Sequence, residues 1–224
     1  TTNDHDNFED HCGHGSHCSG IIAGQNDKFV NFGIAPDVDL YIGKVLNDNG
    51  EGSFDWIVNG IDWAVEKGVD IISMSLGAEI KTIPRGLQKS LDKAISKGIV
   101  ICVAAGNEGP SLNTVDSPGN YTKLITVGAV KSNSIIASFS SRGSQVDTVA
   151  PGVDILSCYK GSNDSFCYMS GTSMATPFVA GVCALILQDL KSKKNNKNFH
   201  TLLESQIKKT SKDLGRKGFD QIYG

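Results

Sequence analysis

Between Val38 and Val130, short apolar runs rich in β-branched residues alternate with stretches of helical period, and no other feature restricts the fold as much. Residues 40–46 and 69–76 read as buried strands. Between them Trp56, Ile57, Gly60, Ile61, Ala64 and Val65 recur at helical spacing. A second helix carries Leu87, Leu91, Ala94 and Ile95 on one face and stops at Gly98, and residues 99–105 and 124–130 supply two more strands. Strands and helices in this order predict an α/β fold of three layers, a mostly parallel central sheet with helices on both faces. After Val130 serine, glycine and asparagine become frequent, and the strands shorten as in antiparallel hairpins. Residues 173–190 are apolar nearly all round, which predicts a helix running through the core.

The 224 residues suit one large domain, and we read 1–224 as a single unit. A formal charge of -3 gives no reason to expect nucleic acid or an anionic membrane as a partner. No run is read as reaching the roughly 18 apolar residues that span a bilayer, and the polar start, residues 1–10, does not read as a signal peptide. Function has to be sought in local chemistry.

Three segments combine glycine with reactive side chains: Gly13-His14-Gly15-Ser16-His17, Ala104-Ala105-Gly106-Asn107-Glu108-Gly109 and Gly171-Thr172-Ser173-Met174-Ala175-Thr176-Pro177. Ser173 opens the core helix, where unpaired N–H groups and the helix dipole favour developing negative charge. Asn107 follows a buried strand in a Gly-Asn turn, so its amide can project into a crevice at the strand's C-terminal end. His14 lies between glycines at the start of an apolar helical stretch, within reach of a neighbouring serine. Alone, His14 would read as a structural histidine and Asn107 as a turn residue. The elbow pattern of α/β-hydrolases fails here, because Ala175 stands where it requires glycine.

Together these segments resemble the histidine, asparagine and serine motifs of the subtilisin-like (S8) serine proteases. Gly33-Ile34-Ala35-Pro36, Ser73-Met74-Ser75-Leu76-Gly77 and Val149-Ala150-Pro151-Gly152 extend the likeness over nearly the whole chain. His14 and Ser173 also stand in the family's order, about 160 residues apart. The resemblance implies a serine endopeptidase acting on polypeptides through an acyl-enzyme, with His14 as general base, Ser173 as nucleophile and Asn107 as oxyanion donor. It implies that Ser75, Leu76 and Gly77 pair with extended substrate and that Phe54, Ile57 and Leu76 line an apolar pocket. The primary pocket is expected between residues 104–106, with Ala105 and Gly106 as wall, and residues 116–119. Asp116, with Glu108 nearby, then favours Lys or Arg before the scissile bond. The loop Gly24-Gln25-Asn26-Asp27 resembles a calcium-binding loop, with Asp27 as an oxygen ligand. Family habit adds a secreted monomer matured from a propeptide-bearing precursor.

One element of the pattern is not found. The family's triad aspartate lies roughly 32 residues before the histidine, and Asp4, Asp6 and Asp10 read as loop residues. The chain is therefore read as truncated at both ends, with the aspartate segment upstream of Thr1. The competing expectation is a catalytically silent, protease-like domain that binds peptide. Among the six cysteines, Cys18 resembles the buried thiol of the proteinase K-like members. Cys158 and Cys167 read equally as a disulfide across a hairpin, which would favour a secretory setting, or as free thiols. The cluster His11, Cys12, His14, His17 and Cys18 has a second reading as a zinc site. Asn120 and Asn163 match the glycosylation triplet and are read as unmodified.

Overall fold

A computed structural model describes residues 9–25, 32–162, 164–192 and 199–224. Four parallel strands form the central sheet in the order β1 (Ile71–Met74), β2 (Val100–Ala104), β3 (Ile125–Val130) and β4 (Thr148–Pro151). Ile71 sits beside Val100, Cys102 beside Ile125, and Val127 beside Thr148. Helices α1 (His14–Ala23), α2 (Phe54–Lys67) and α3 (Arg85–Ser96) precede or interleave with the strands. The hairpin of β5 (Ile155–Cys158) and β6 (Phe166–Met169) leads into α4 (Thr172–Ser192), and α5 (Phe199–Thr210) follows.

The strand period divides the interior into two cores. Val100 and Cys102 of β2 face Ala175, Val179, Cys183 and Leu187 of α4. Ile101 and Val103, pointing the opposite way, face Ile57 and Ile61 of α2 and Leu87, Leu91 and Ala94 of α3. Because β2 is covered on both sides, all five of its residues are buried, which is why it reads as an unbroken apolar run rather than an alternating one. Leu87 and Leu91 are fully buried, each contributing roughly 1.5–3 kcal/mol by area. The three-layer α/β expectation holds; the strands expected over 69–76, 99–105 and 124–130 are found with shorter bounds, and the expected helices extend slightly further, the core helix over Thr172–Ser192 rather than 173–190.

Residues 40–46 are the main correction. They form no strand, and Leu40, Tyr41 and Ile42 are 42, 54 and 58% exposed. An extended run becomes a strand only when a neighbour takes its backbone groups. Residues 40–46 instead line a groove of about 1740 Å³ that residues 69–76 line as well. Among the described residues, β1 pairs only with β2, and its other edge borders this groove.

Two further expectations change. By length and composition α4 is apolar enough to cross a membrane, contrary to the reading that no such run exists. Its window of mean hydropathy 1.5 is 56% buried within the fold, consistent with the predicted core helix. The register of β5 and β6 pairs Ser157 with Cys167 and Cys158 with Phe166. Cys158 and Cys167 are thus offset by one residue and point to opposite faces of the hairpin, and both are free thiols.

Candidate active site

Ser173 stands in the first turn of α4, half-buried, with its hydroxyl 3.5 Å from the carbonyl oxygen of Ser75. Ser75 returns the contact, its Oγ donating to the Ser173 carbonyl at 2.7 Å. The Cys18 thiol donates to the same carbonyl at 3.4 Å. Burial pushes that thiol up to about 11, so it stays a neutral donor. Cys18 lies one helical turn after His14 on the same face of α1. The thiol thus ties the histidine helix to the turn that carries Ser173.

Asn107 follows β2 through Gly106, whose φ of 107° suits glycine. Its Oδ1 accepts from the backbone N–H of Thr172 at 3.0 Å and from Thr172 Oγ1 at 3.1 Å. With Oδ1 engaged by Thr172, Nδ2 is the amide's remaining polar group. A methyl group placed on Gly171 would lie 3.8 Å from Asn107 Nδ2 and 3.6 Å from Ser173 N. The same point lies 3.8 Å from Asn107 Oδ1, so the Asn107 amide and the Ser173 backbone nitrogen border one space beside the serine. Thr172 was not singled out from sequence, although it stands inside the serine motif.

Asp10, expected to be only a loop residue, organises the start of α1. Its carboxylate accepts from the N–H groups of Cys12, Gly13 and Ser16 and from Ser16 Oγ at 2.7–3.0 Å. Burial raises its pKa, but these donors outweigh that and hold it below the usual carboxylate range. An acid just ahead of a helix start is the signal that would have found it. Burial lowers the pKa of His14, with Asp10 opposing and His17 adding to the fall. Among the described residues no carboxylate is hydrogen-bonded to the His14 ring.

His17 is fully buried, and its Nε2 lies 2.9 Å from the Ile155 carbonyl and 3.2 Å from that of Cys167. Nε2–H therefore donates to the hairpin, and the buried Nδ1 has no protein partner. Burial holds His17 toward its neutral form. With His17 spent on the hairpin and Cys18 on Ser173, no three His, Cys, Asp or Glu side chains gather around a metal position among the described residues.

Of the residues expected to meet substrate, Phe54, Ile57, Ser75, Leu76 and Gly77 line the groove, and Ser75 also meets Ser173. Ser75, Leu76 and Gly77 run from the end of β1 toward Ala78, which exchanges backbone hydrogen bonds with Ser117. Leu76 and Gly77 make no backbone hydrogen bond among the described residues, which leaves an edge free for an extended peptide. Phe54, Ile57 and Leu76 share one apolar cluster and line the groove. Ala105 is wholly buried and anchors the other wall through Val127 and Asp116. Asp116 is 5% exposed. A methyl group on Gly106 would meet the Asp116 and Glu108 carboxyl oxygens at 2.4 Å each, and one on Gly77 would meet Asp116 Cβ at 3.4 Å. Gly77, Gly106, Asp116 and Glu108 thus converge. The Nδ2 of Asn120, where a glycan would attach, donates to the Ile80 carbonyl. Asp27 and Asn163 lie outside the described residues.

The model of the subtilase family matches residues 1–224. Subtilisin E of Bacillus subtilis is 47% identical over 182 residues, covering 80% of this chain and 47% of the relative. Subtilisin DY of Bacillus licheniformis is 42% identical over 216 residues, covering 94% of this chain and 73% of the relative. An intracellular serine protease of Paenibacillus polymyxa is 46% identical over 184 residues, covering 81% and 55%. The chain thus spans about half the length of the first of these. A crystal structure of a cold-adapted subtilisin-like serine proteinase superposes with a TM-score of 0.76 at 33% identity, covering 89% of this chain and 68% of the other. The chain belongs to the subtilase family.

Proposed function

We propose that this chain carries the nucleophile, base and oxyanion donor of a serine endopeptidase that cleaves polypeptides. In this reading His14 takes the Ser173 proton as Oγ attacks the peptide carbonyl. Asn107 Nδ2 and the Ser173 N–H then hold the oxyanion, and water releases the acyl group. The observation that supports the reading is the meeting of the Asn107 amide and the Ser173 backbone nitrogen at one space beside Ser173, with Thr172 donating to Asn107 Oδ1 and so orienting the amide. Extended substrate lies along Leu76 and Gly77, its apolar side chain over Phe54 and Ile57, and a Lys or Arg side chain reaches Asp116.

The reading includes an aspartate on a strand upstream of Thr1, seated in the groove beside β1. Support comes from the edge of β1 that no strand pairs among the described residues, the residues 40–46 that line the same groove without forming a strand, and His14 in its lining. A strand there would hydrogen-bond to both walls and bring its end toward the imidazole. Asp10 does not substitute, because its oxygens are already engaged by the α1 turn. The second reading is a silent, protease-like domain that binds peptide, since no carboxylate is hydrogen-bonded to the His14 ring among the described residues.

Fluorophosphonate labelling of the full-length protein separates the two. Labelling lost in Ser173→Ala supports the enzyme, and an absence of Ser173-dependent labelling supports the binding domain. Maturation from a propeptide, action as a monomer and a secretory setting are proposed by family likeness alone. A structural calcium at residues 24–27 is proposed on the same ground. Next to it, Gly24 accepts from the N–H groups of Phe32 and Gly33, closing the loop at its base.

A further inference from the structure

We propose that Asp116 and Glu108 form a proton-sharing acid pair at the floor of the primary pocket, so that preference for a cationic side chain strengthens as pH rises through neutrality. The inference rests on reading this pocket as the seat of the residue before the scissile bond, and adds that its charge is variable.

The geometry provides three independent constraints. The Asp116 and Glu108 oxygens both lie 2.4 Å from a single point above Gly106, and so within 4.8 Å of each other, a range in which one carboxylate disfavours ionisation of the other. Asp116 is 95% buried, and among the described residues no N–H or O–H group donates to its carboxyl. Glu108, in contrast, accepts from Ser141 Oγ at 2.9 Å, while its backbone N–H donates to the same oxygen. The half-served acid is therefore Asp116, and it lies between the glycine walls, Gly106 and Gly77, where an incoming side chain would end. Neither wall has a side chain to shield it.

The charged groups acting on Asp116 come from two elements. Glu108 belongs to the turn after β2. Lys81 and Glu79 belong to the segment after Gly77, Lys81 favouring the ionised form and Glu79 opposing it. Burial first, and then Glu108, raise the Asp116 carboxyl to about 7. Below that pH the pair holds one proton and one negative charge. Above it the proton leaves to solvent, the floor carries two charges, and a lysine ammonium relieves their repulsion. Lysine itself stays protonated throughout, with a reference pKa of about 10.4, so the change belongs to the pocket.

The test needs no turnover. Two product-like peptides, identical except for a terminal Lys or norleucine, are titrated calorimetrically into the full-length protein at pH 5.5 and 8.5. Their shared terminal carboxylate cancels in the ratio of affinities. The Lys-to-norleucine ratio is expected to rise by roughly tenfold between the two pH values, and to become flat in Asp116→Asn. Glu108→Gln should move the rise to lower pH, because Asp116 then loses its competing charge. A ratio that favours Lys equally at both pH values overturns the shared proton while leaving the cationic pocket. Preference for norleucine at both, or no binding, overturns the pocket reading and the inference with it.

Discussion

The two sides of β1 differ in how completely they are built. Toward β2 the sheet is fully paired and buried, and its strand end delivers Asn107 to a helix terminus whose hydrogen bonds are settled. On its other edge the same strand has no partner among the described residues and borders a groove, its first three residues are only partly buried, and Leu40, Tyr41 and Ile42 in the same groove face solvent. In the proposed reading, the oxyanion and nucleophile elements lie within the described residues, whereas the carboxylate that would orient His14 does not. Catalytic competence in such a fold depends on both sides of one strand.

The largest expected effect tests the open side. Residues 1–224 alone should turn over a peptide substrate about 10⁴-fold more slowly than the full-length protein, the scale of losing the orienting aspartate. Equal turnover would remove the need for an upstream carboxylate. On the finished side, Asn107→Ala in the full-length protein should lower kcat by about 10²–10³ with little change in KM. A change confined to KM would make Asn107 a ground-state contact.

Much of this contrast is legible in the chain itself. The buried strands announce themselves as apolar runs because both faces are covered, and the three glycine-flanked motifs mark the strand end and helix ends that hold the chemistry. Residues 40–46 carry the same apolar signature, yet hydropathy reports a preference for burial, not the presence of a hydrogen-bonding neighbour. Asp10 and Thr172 escape notice for a different reason: their roles are hydrogen bonds to backbone a few residues or a whole domain away. The opposite facing of Cys158 and Cys167 depends on hairpin register, which loop composition leaves open.

Stability should show the same asymmetry. Ile101→Ala, in the core between β2 and the α2–α3 layer, should cost about 2–5 kcal/mol in denaturant unfolding of either chain length. Tyr41→Ser should cost under about 0.5 kcal/mol in residues 1–224, and about 1–2 kcal/mol in the longer protein, where a neighbouring strand would cover it. Equal, small costs for Tyr41 in both would leave that side open in the whole protein.

Titration of His14 gives the smallest effect and the clearest sign. In residues 1–224 burial holds its pKa below 6.5, so the imidazole charges only at lower pH. Its depressed value also means that native stability falls as pH drops below the unfolded value near 6.5. A carboxylate facing the ring in the longer protein favours the imidazolium and should raise the pKa, moving the acid limb of kcat/KM to higher pH. Histidine NMR on both proteins, assigned with His14→Gln, reads the difference directly. Identical values would deny His14 a new charged partner.

Amide hydrogen exchange across residues 40–46 and 71–74, compared between residues 1–224 and the full-length protein, tests the central claim most directly. A strand seated in the groove predicts strong new protection of both segments in the longer protein, while residues 100–104 are protected in both. Unchanged, rapid exchange of residues 40–46 in the full-length protein would contradict it.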